Sequence, residues 1–314
     1  MSVVALSTMW MSPLGYDPAL RPEEAGGQII ARAELVGAQA LELDYRLRDD
    51  VLKILAKQLR SAGLKVTSLH APLPIPEGLT QPTAEPFNPA STDAEERTQA
   101  VKHIATTLQW AHELEAQIVV VHLGSIPALA DGQLTKASAR GEPEAREELQ
   151  RLLEKRRELA PVHLDMASFS LEKLARRAEE LGVVLGLENR YHFFEIPSLE
   201  ELELLLKRFE GAPVGPWYDV GHGYTQALAG IRPWPQWLER LGKQLVGCHI
   251  HDAIGPQDHR PPPAGEVPWE ELGQWLGPVQ LKVVEVTSEH DPEQVAQALD
   301  FARQLCPQPK EETA

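Results

Sequence analysis

The chain has 314 residues, and 46 acidic against 30 basic side chains give it a formal net charge of −16 with histidine neutral. Binding to DNA or to an anionic membrane requires Lys and Arg to neutralise phosphates, so this charge disfavours nucleic acid and membranes as partners. A hydrophobic content of 43% excludes a disordered chain, and no apolar run reaches the ~20 residues that cross a bilayer. Residues 1–10 lack the basic region of a secretory signal, which predicts a cytoplasmic protein.

The chain contains two cysteines, Cys248 and Cys306, which could form one disulfide at most. A disulfide framework and a cysteine-based zinc site are therefore both excluded as the basis of the fold. We expect both residues to be plain thiols.

Short apolar runs recur along the whole chain, and each is followed by a stretch with helical spacing. One such stretch contains Val101, Ile104, Ala105, Leu108, Ala111 and Leu114, which share one face of a helix. Ser198 and Glu201 have the spacing of a capping box that opens a helix through Leu206. Helices are predicted to end near Gly37, Gly63, Gly182 and Gly211. The apolar runs predict eight strands, at residues 3–9, 40–45, 66–71, 118–124, 183–189, 214–222, 245–252 and 281–287.

Eight strands that alternate with helices predict a parallel sheet closed into a single (β/α)₈ TIM barrel, and we find no domain boundary within residues 1–314. An open doubly wound sheet is the alternative, although no Gly-x-Gly-x-x-Gly motif follows the first strand. Three long connections, at residues 72–91, 125–143 and 253–268, leave the C-terminal ends of strands. They are expected to form the walls or lids of a pocket, because barrel enzymes build their active sites on this face.

Side chains that can bind metals stand at the ends of successive predicted strands. Barrel closure brings these strand ends to one rim, so the side chains are expected to converge there. Buried carboxylates are unstable without a cation, which predicts a divalent metal. Oxygen and imidazole ligands without sulfur favour Mn²⁺, Zn²⁺, Co²⁺ or Fe²⁺. The side chains are His70, His122, Glu188, Asp219, His222, His249 and Glu285.

The alternation of side chains along a strand predicts the side of the strand to which each of these residues points. Glu285 shares one face of its strand with Leu281 and Val283, while Lys282 points to the other side. His249 and His251 also share a face, so that one can bind the metal while the other lines the pocket.

Several motifs surround these residues: Leu-Glu-Asn-Arg at 187–190, Tyr-Asp-Val-Gly-His at 218–222, His-Ile-His-Asp at 249–252 and Asp-His-Arg-Pro-Pro at 258–262, followed by Gly265, Trp269 and Glu285. In their order and spacing, over nearly the whole chain, they resemble the xylose-isomerase-like TIM-barrel superfamily. That superfamily includes sugar phosphate isomerases and epimerases together with the endonuclease IV fold.

The resemblance implies two sets of metal ligands. In the isomerases and epimerases one metal is held by the residues that match Glu188, Asp219, His249 and Glu285. The endonuclease IV branch builds a multinuclear site, of up to three ions, with additional ligands that match His70, His122, His222 and His259, and Glu188 then bridges two ions. The chain departs from that branch at Gln257, where an aspartate is expected, so a third ion depends on a loop shift that brings in Asp258. For His70 and His122, contact with substrate hydroxyls is the alternative to metal binding.

The resemblance to the epimerases also implies a reaction, the transfer of a proton next to the carbonyl of a small carbohydrate or sugar phosphate. Glu188 and Glu285 would be the acid/base pair and would also bind the metal. Arg190, His222 and His251 would contact the substrate, although Arg190 could instead pair with an acidic neighbour.

Two further functions remain open. The number of histidines favours a metal-dependent phosphoesterase of the endonuclease IV type, and the charge of −16 restricts its substrate to a small phosphodiester. The second open function is that of a barrel that binds a sugar or a metal without catalysis. The sequence is compatible with a homo-oligomer.

Overall fold

A computed structural model describes residues 2–79 and 81–305 of the chain. Within them the strands are β1 (Val3–Ser7), β2 (Ala40–Leu43), β3 (Lys65–His70), β4 (Ile118–Val121), β5 (Val184–Glu188), β6 (Val214–Asp219), β7 (Gly247–Ile250), β8 (Asp252–Ile254), β9 (Gln257–Arg260) and β10 (Leu281–Val284). All except β8 and β9 form one closed, parallel barrel, in which β1 lies between β2 and β10 and β7 pairs with β10. The predicted TIM barrel is confirmed, and the open doubly wound sheet is excluded.

Helices connect the barrel strands on the outside. They are α1 (Pro22–Leu35), α2 (Asp49–Ala62), α3 (Ala94–Glu113), α4 (Gly132–Ala139), α5 (Pro143–Leu181), α6 (Leu199–Arg208), α7 (Val220–Ala229), α8 (Trp234–Leu241), α9 (Trp269–Leu276) and α10 (Pro292–Gln304). None of the helices in the described residues is long and apolar enough to cross a membrane.

Local signals account for several helix ends. The predicted capping box is present in α6, where the Ser198 hydroxyl accepts a hydrogen bond from the Glu201 amide and the Glu201 carboxylate accepts one from the Ser198 amide. Gly63 and Gly182 end α2 and α5 in the left-handed conformation, which glycine adopts without a steric cost.

All eight predicted barrel strands extend past the observed C-terminal ends, by one to three residues, and two of these ends have a clear local cause. The strand predicted at 3–9 stops at Ser7, because residues Thr8–Met11 form a 3-10 helix. The strand predicted at 214–222 stops at Asp219, whose carboxylate accepts a hydrogen bond from the His222 amide at 2.7 Å and so caps α7. His222 therefore lies in the first turn of a helix rather than in a strand.

Two of the three long connections contain regular structure. Residues 125–143 include a 3-10 helix and α4, which Asp131 caps by accepting hydrogen bonds from two backbone amides. Residues 253–268 include most of the antiparallel hairpin of β8 and β9, which follows β7. The described part of residues 72–91 contains neither helix nor strand. That these segments are the walls or lids of a pocket stays a prediction.

A cluster of apolar side chains fills the interior of the barrel. The largest is Trp217, and a Cβ atom at Gly247 would lie only 2.1 Å from its ring, so β7 needs glycine there. Lys282 points outward, and its Nζ donates to two carbonyl oxygens beyond α9, which confirms the predicted alternation along β10. The cluster consists of Ala5, Ala40, Ile118, Val120, Trp217, Leu281 and Val283.

Cys248 is a buried free thiol, and burial raises its pKa to about 12. It is therefore a plain core residue, as expected. Cys306 lies outside the described residues.

Candidate metal centre

The four residues predicted to hold a single metal converge at the C-terminal mouth of the barrel. Glu188 and Asp219 are the last residues of β5 and β6, His249 lies in β7, and Glu285 directly follows β10. Asp219 and His249 are register partners on adjacent strands. Each of the four residues is at most 5% exposed, so their charges interact in a medium with little solvent.

The imidazole of His249 is surrounded by carboxylates. Its Nδ1 atom lies 2.8 Å from Oε1 of Glu188 and 3.4 Å from oxygens of both Asp219 and Glu285. Burial by itself lowers the pKa of His249, but Glu285, Glu42 and Glu188 together raise it well above its ordinary value. This nitrogen and three carboxylates therefore face one point, which favours a positive charge there.

Glu188 faces a second group of imidazoles with its other oxygen. Its Oε2 atom lies 2.6 Å from Nε2 of His122 and 3.6 Å from Nε2 of His70. The Nδ1 atom of His70 donates to the carbonyl of Ala71 at 3.0 Å, which leaves Nε2 free to bind a metal. Burial lowers the pKa of His122 to about 3, so its imidazole is neutral. Ligand atoms of His70, His122 and Glu188 lie within 4.8 Å of one another.

A third group forms where the hairpin approaches α7. His222 donates from Nδ1 to the carbonyl of Asn189 at 3.0 Å, and its Nε2 lies 3.9 Å from Oδ2 of Asp258. Oδ1 of Asp258 lies 3.1 Å from Nδ1 of His259. Ligand atoms of these three residues again lie within 4.8 Å of one another. The hairpin thus brings Asp258 beside the two histidines, whereas Gln257 is exposed.

His259 adopts an unusual backbone conformation, with a φ angle of +56°. Its ring stacks on that of His251 at 4.3 Å, and its Nε2 lies 3.3 Å from Oε2 of Glu285. His259 therefore links the third group to the four residues around His249.

His251 is fully buried, and both of its ring nitrogens form hydrogen bonds with protein atoms. Nδ1 accepts a hydrogen bond from the backbone amide of His259 at 2.8 Å. The proton therefore lies on Nε2, which donates to the Asp219 carboxylate at 2.9 Å. In this arrangement His251 orients the carboxylate of Asp219. That His251 contacts the substrate stays a prediction.

Arg190 pairs with acidic neighbours, which is one of the two alternatives that the sequence left open. Its Nη2 atom donates to Oε1 of Glu195 at 2.6 Å and lies 3.5 Å from Oε2 of Glu85. Its Nη1 atom lies 3.8 Å from Oε2 of Glu188, beyond hydrogen-bonding distance. The side chain therefore lies beside the candidate metal centre without a hydrogen bond to Glu188.

Sequence reasoning missed Glu42 on β2, which is fully buried beneath the cluster. Its carboxylate accepts a hydrogen bond from the Ser68 hydroxyl at 2.8 Å and another from Nε2 of His249 at 3.1 Å. A glutamate inside the otherwise apolar run 40–43 was the signal that could have identified it, because an unpaired charge is costly at such a position.

The motifs around the ligands have structural roles as well. Asp252 accepts hydrogen bonds from the amides of Ala253 and Val267 and from Nε1 of Trp269, and so fastens the hairpin to the barrel. A Cβ atom at Gly265 would lie 2.1 Å from Oδ1 of Asp252. These contacts explain why Asp252, Gly265 and Trp269 occur together in the sequence.

The donor set fits divalent cations. Each of the three groups combines imidazole with carboxylate, the combination that suits Zn²⁺ and similar first-row metals. His70, His222 and His249 each have their remote nitrogen bonded to a carbonyl or carboxylate, as metal-binding histidines usually do. In addition, the carboxylates of Glu188, Asp219 and Glu285 are almost completely buried, which makes this part of the cluster costly without a positive charge.

Residues 30–305 match the family model described as xylose isomerase-like TIM barrel. The chain belongs to this family. An uncharacterised protein of Methanocaldococcus jannaschii is 25% identical over 174 residues, which make up 55% of this chain and 50% of that protein. The chain thus matches about half the length of this curated relative.

Solved structures share the fold over nearly the whole chain. A D-tagatose 3-epimerase-like protein has a TM-score of 0.66 and 18% identity, with 97% of each chain covered. A Thermus thermophilus protein soaked with zinc chloride has a TM-score of 0.58 and 23% identity, with 96% of this chain and 97% of that one covered. At these identities the likeness establishes the fold alone. The structural neighbours nevertheless include sugar epimerases.

Proposed function

We propose that the protein is a divalent-metal-dependent phosphoesterase of the endonuclease IV type that acts on a small phosphoester. The observation that supports this most strongly is the position of Glu188, whose two oxygens face different groups of imidazoles. A carboxylate placed in this way is suited to bridge two ions. Asp258, beside His222 and His259, would be the carboxylate ligand of a third ion.

The same observation argues against proton transfer by Glu188. A general base in an isomerase needs an oxygen that can reach the substrate. Both oxygens of Glu188 lie within 2.8 Å of a histidine nitrogen, and the residue is 1% exposed. Metal binding therefore accounts for its environment better than acid/base chemistry does.

Ions held by these residues would supply Lewis-acid chemistry, which polarises phosphoryl oxygens and lowers the pKa of water. We assign His70, His122 and Glu188 to one ion, Glu188, Asp219, His249 and Glu285 to a second, and His222, Asp258 and His259 to a third. His251 orients Asp219, and Arg190 lies beside Glu188. Zn²⁺ is the first ion to test, followed by Mn²⁺, Co²⁺ and Fe²⁺, because the Thermus thermophilus structural neighbour was soaked with zinc chloride.

Charge limits the size of the substrate. With a net charge of −16, the protein repels a long polynucleotide, whereas a small phosphoester can be held by ions and a few side chains.

We place the protein in the cytoplasm and treat the barrel and its hairpin as a single catalytic domain.

A sugar or sugar phosphate isomerase/epimerase is the second candidate. It is favoured by the four residues around His249 and by the fold shared with the D-tagatose 3-epimerase-like protein. In that case Glu188 and Glu285 would be the acid/base pair at one ion.

Metal analysis and two activity screens distinguish these candidates. The phosphoesterase proposal expects two or three ions per chain and hydrolysis of a chromogenic phosphodiester or monoester. The isomerase candidate expects one ion and exchange of solvent deuterium into ketoses or sugar phosphates. Metal binding without either reaction would indicate a non-catalytic sugar- or metal-binding barrel and would refute both.

Variants at two glutamates provide a matched control. Glu285→Gln is expected to abolish turnover and weaken metal retention while the fold persists, because Glu285 lies between His249 and His259. Glu201→Gln alters a glutamate that pairs with Arg156 outside the cluster and should leave the metal content unchanged. A fully active Glu285→Gln protein would contradict the assignment.

A further inference from the structure

We propose that Asn189, which is not itself a candidate metal ligand, is a positioning residue that aligns Asp219 with His222 and so sets the geometry of the second and third ion sites. This inference rests on the ion sites of the proposed function and adds a residue outside the ligand set that acts on two of them at once. Asn189 directly follows Glu188 at the end of β5 and is fully buried.

The backbone ladder between β5 and β6 ends at Asn189. Glu188 and Trp217 are register partners, and the amide of Asn189 donates to the carbonyl of Trp217 at 3.3 Å. If the parallel ladder continued, the backbone carbonyl of Asn189 would accept the next hydrogen bond, from the amide of Asp219. The side chain of Asn189 accepts that hydrogen bond instead. The backbone carbonyl of Asn189 is therefore available to another donor.

The side-chain amide of Asn189 binds both backbone polar groups of Asp219. Its Oδ1 atom accepts a hydrogen bond from the Asp219 amide at 2.6 Å, and its Nδ2 atom donates to the Asp219 carbonyl at 3.0 Å. An amide side chain offers a donor and an acceptor side by side, as the N–H and C=O groups of one residue require. Asp219 is fully buried, so these groups need partners from the protein. Asn189 therefore fixes the backbone of a proposed ligand of the second ion.

The backbone carbonyl of Asn189 orients His222. It accepts a hydrogen bond from Nδ1 of His222 at 3.0 Å, while Nε2 of the same ring lies toward Asp258. The amide of His222 in turn donates to Oδ1 of Asp219 at 2.7 Å. Asn189, Asp219 and His222 thus form a closed set of hydrogen bonds, which connects a proposed ligand of the second ion with one of the third.

Asn88 provides a matched control, because its side chain holds Ser125 in the same way. Nδ2 of Asn88 donates to the Ser125 carbonyl at 2.9 Å, and Oδ1 accepts a hydrogen bond from the Ser125 amide at 3.1 Å. Oδ1 also accepts one from the amide of Ala90 at 2.8 Å. Asn88 is buried as well, and neither Asn88 nor Ser125 belongs to the proposed ligand set. Replacing Asn88 therefore removes the same kind of buried hydrogen bonds away from the ions.

The test measures Zn²⁺ binding by competition with a chromophoric chelator, and stability by urea unfolding. Asn189→Ala should weaken the binding of two ions about 10- to 100-fold, the range for groups that orient metal ligands. The ion at His70 and His122 should be affected least, because no hydrogen bond among the described residues joins Asn189 to either histidine. Asn88→Ala should lower the stability by at least as much as Asn189→Ala and leave the Zn²⁺ affinity unchanged.

Equal Zn²⁺ affinity for wild type and Asn189→Ala would overturn the inference. An equal loss of affinity in Asn88→Ala would do so too, because the effect would then be one of stability alone, as would a wild type that binds fewer than two Zn²⁺ ions. If Asn189→Ala does not fold, Asn189→Ser decides in the same way, with Asn88→Ser as its control.

Hydrolysis of a phosphodiester by the wild type tests the proposed function separately. Zn²⁺ binding that depends on Asn189, without hydrolysis, would refute the function and keep the positioning role. Hydrolysis by the wild type, together with unchanged Zn²⁺ affinity in Asn189→Ala, would refute only the positioning role.

Discussion

The carboxylate of Glu42 accepts a hydrogen bond from Nε2 of His249 at 3.1 Å, on the side of the ring away from the candidate metal centre. Because this nitrogen keeps its proton, Nδ1 is the one that faces Glu188, Asp219 and Glu285. Ser68 holds the carboxylate from behind at 2.8 Å. A carboxylate in this position fixes the tautomer and orientation of a metal-binding histidine and increases its basicity.

Replacing Glu42 by Gln is therefore expected to weaken metal binding at the His249 group by about 10- to 100-fold. Titration of the protein against a chromophoric chelator measures this change without relying on enzymatic activity. Asp44→Asn is the matched control, since Asp44 is equally buried but pairs with Arg46. Equal metal affinities for wild type and Glu42→Gln would show that the hydrogen bond has no influence on the metal.

Gly221 provides the space that His251 occupies. A Cβ atom at Gly221 would lie 2.2 Å from Cε1 of His251, so Gly221→Ala must displace the ring that orients Asp219. We expect a loss of about 1–3 kcal/mol in the free energy of unfolding and weaker metal binding. Urea unfolding checks the first effect. The exposed helical Gly27 has open space around it, and Gly27→Ala should stabilise the protein by up to about 1 kcal/mol.

Glu85 makes stability depend on pH. Burial raises its pKa from 4.5 to about 7 in the folded protein, so the native state holds this proton more tightly than the unfolded chain does. Its contribution to stability is therefore complete below about pH 4.5 and is lost as the pH rises to about 7. Glu85→Gln should remove this loss. The Tm of Glu85→Gln minus the Tm of wild type should therefore increase as the pH rises from 4.5 to about 7. Glu77→Gln, at an exposed position in the same segment, is the control, and parallel Tm profiles for wild type and Glu85→Gln would contradict the expectation.

Trp269 fastens the hairpin that carries the third ligand group. Trp269→Phe removes the indole donor from Oδ2 of Asp252 and leaves that buried oxygen without this partner, at a cost of about 1–3 kcal/mol. We expect His259 and Asp258 to lose their ion first, while the other groups retain theirs. Metal content after dialysis measures this loss. Trp275→Phe on the same helix should leave the metal content unchanged, and identical contents in the two variants would argue against this role for the hairpin.

The convergence of ligand-type residues could be predicted because each one stands at a strand end. Apolar runs and helical spacing identify the eight strands, and barrel closure alone brings Glu188, Asp219 and Glu285 to one rim. Asp258 could not be placed in this way, because its position depends on the turn between β8 and β9. Glu42 was missed for a different reason, since an isolated glutamate in a strand carries no sign of its partner 207 residues away.

By itself, the order of apolar and polar residues determined the barrel and the rim on which the chemistry lies, because hydrophobic periodicity and strand closure are properties of the chain as a whole. Only the tertiary structure decided which oxygen of Glu188 faces which histidine, which nitrogen of His251 carries the proton and which carboxylates pair with Arg190. These distinctions depend on hydrogen bonds between segments far apart in the chain, and such bonds follow from orientation and distance, which a linear sequence does not contain.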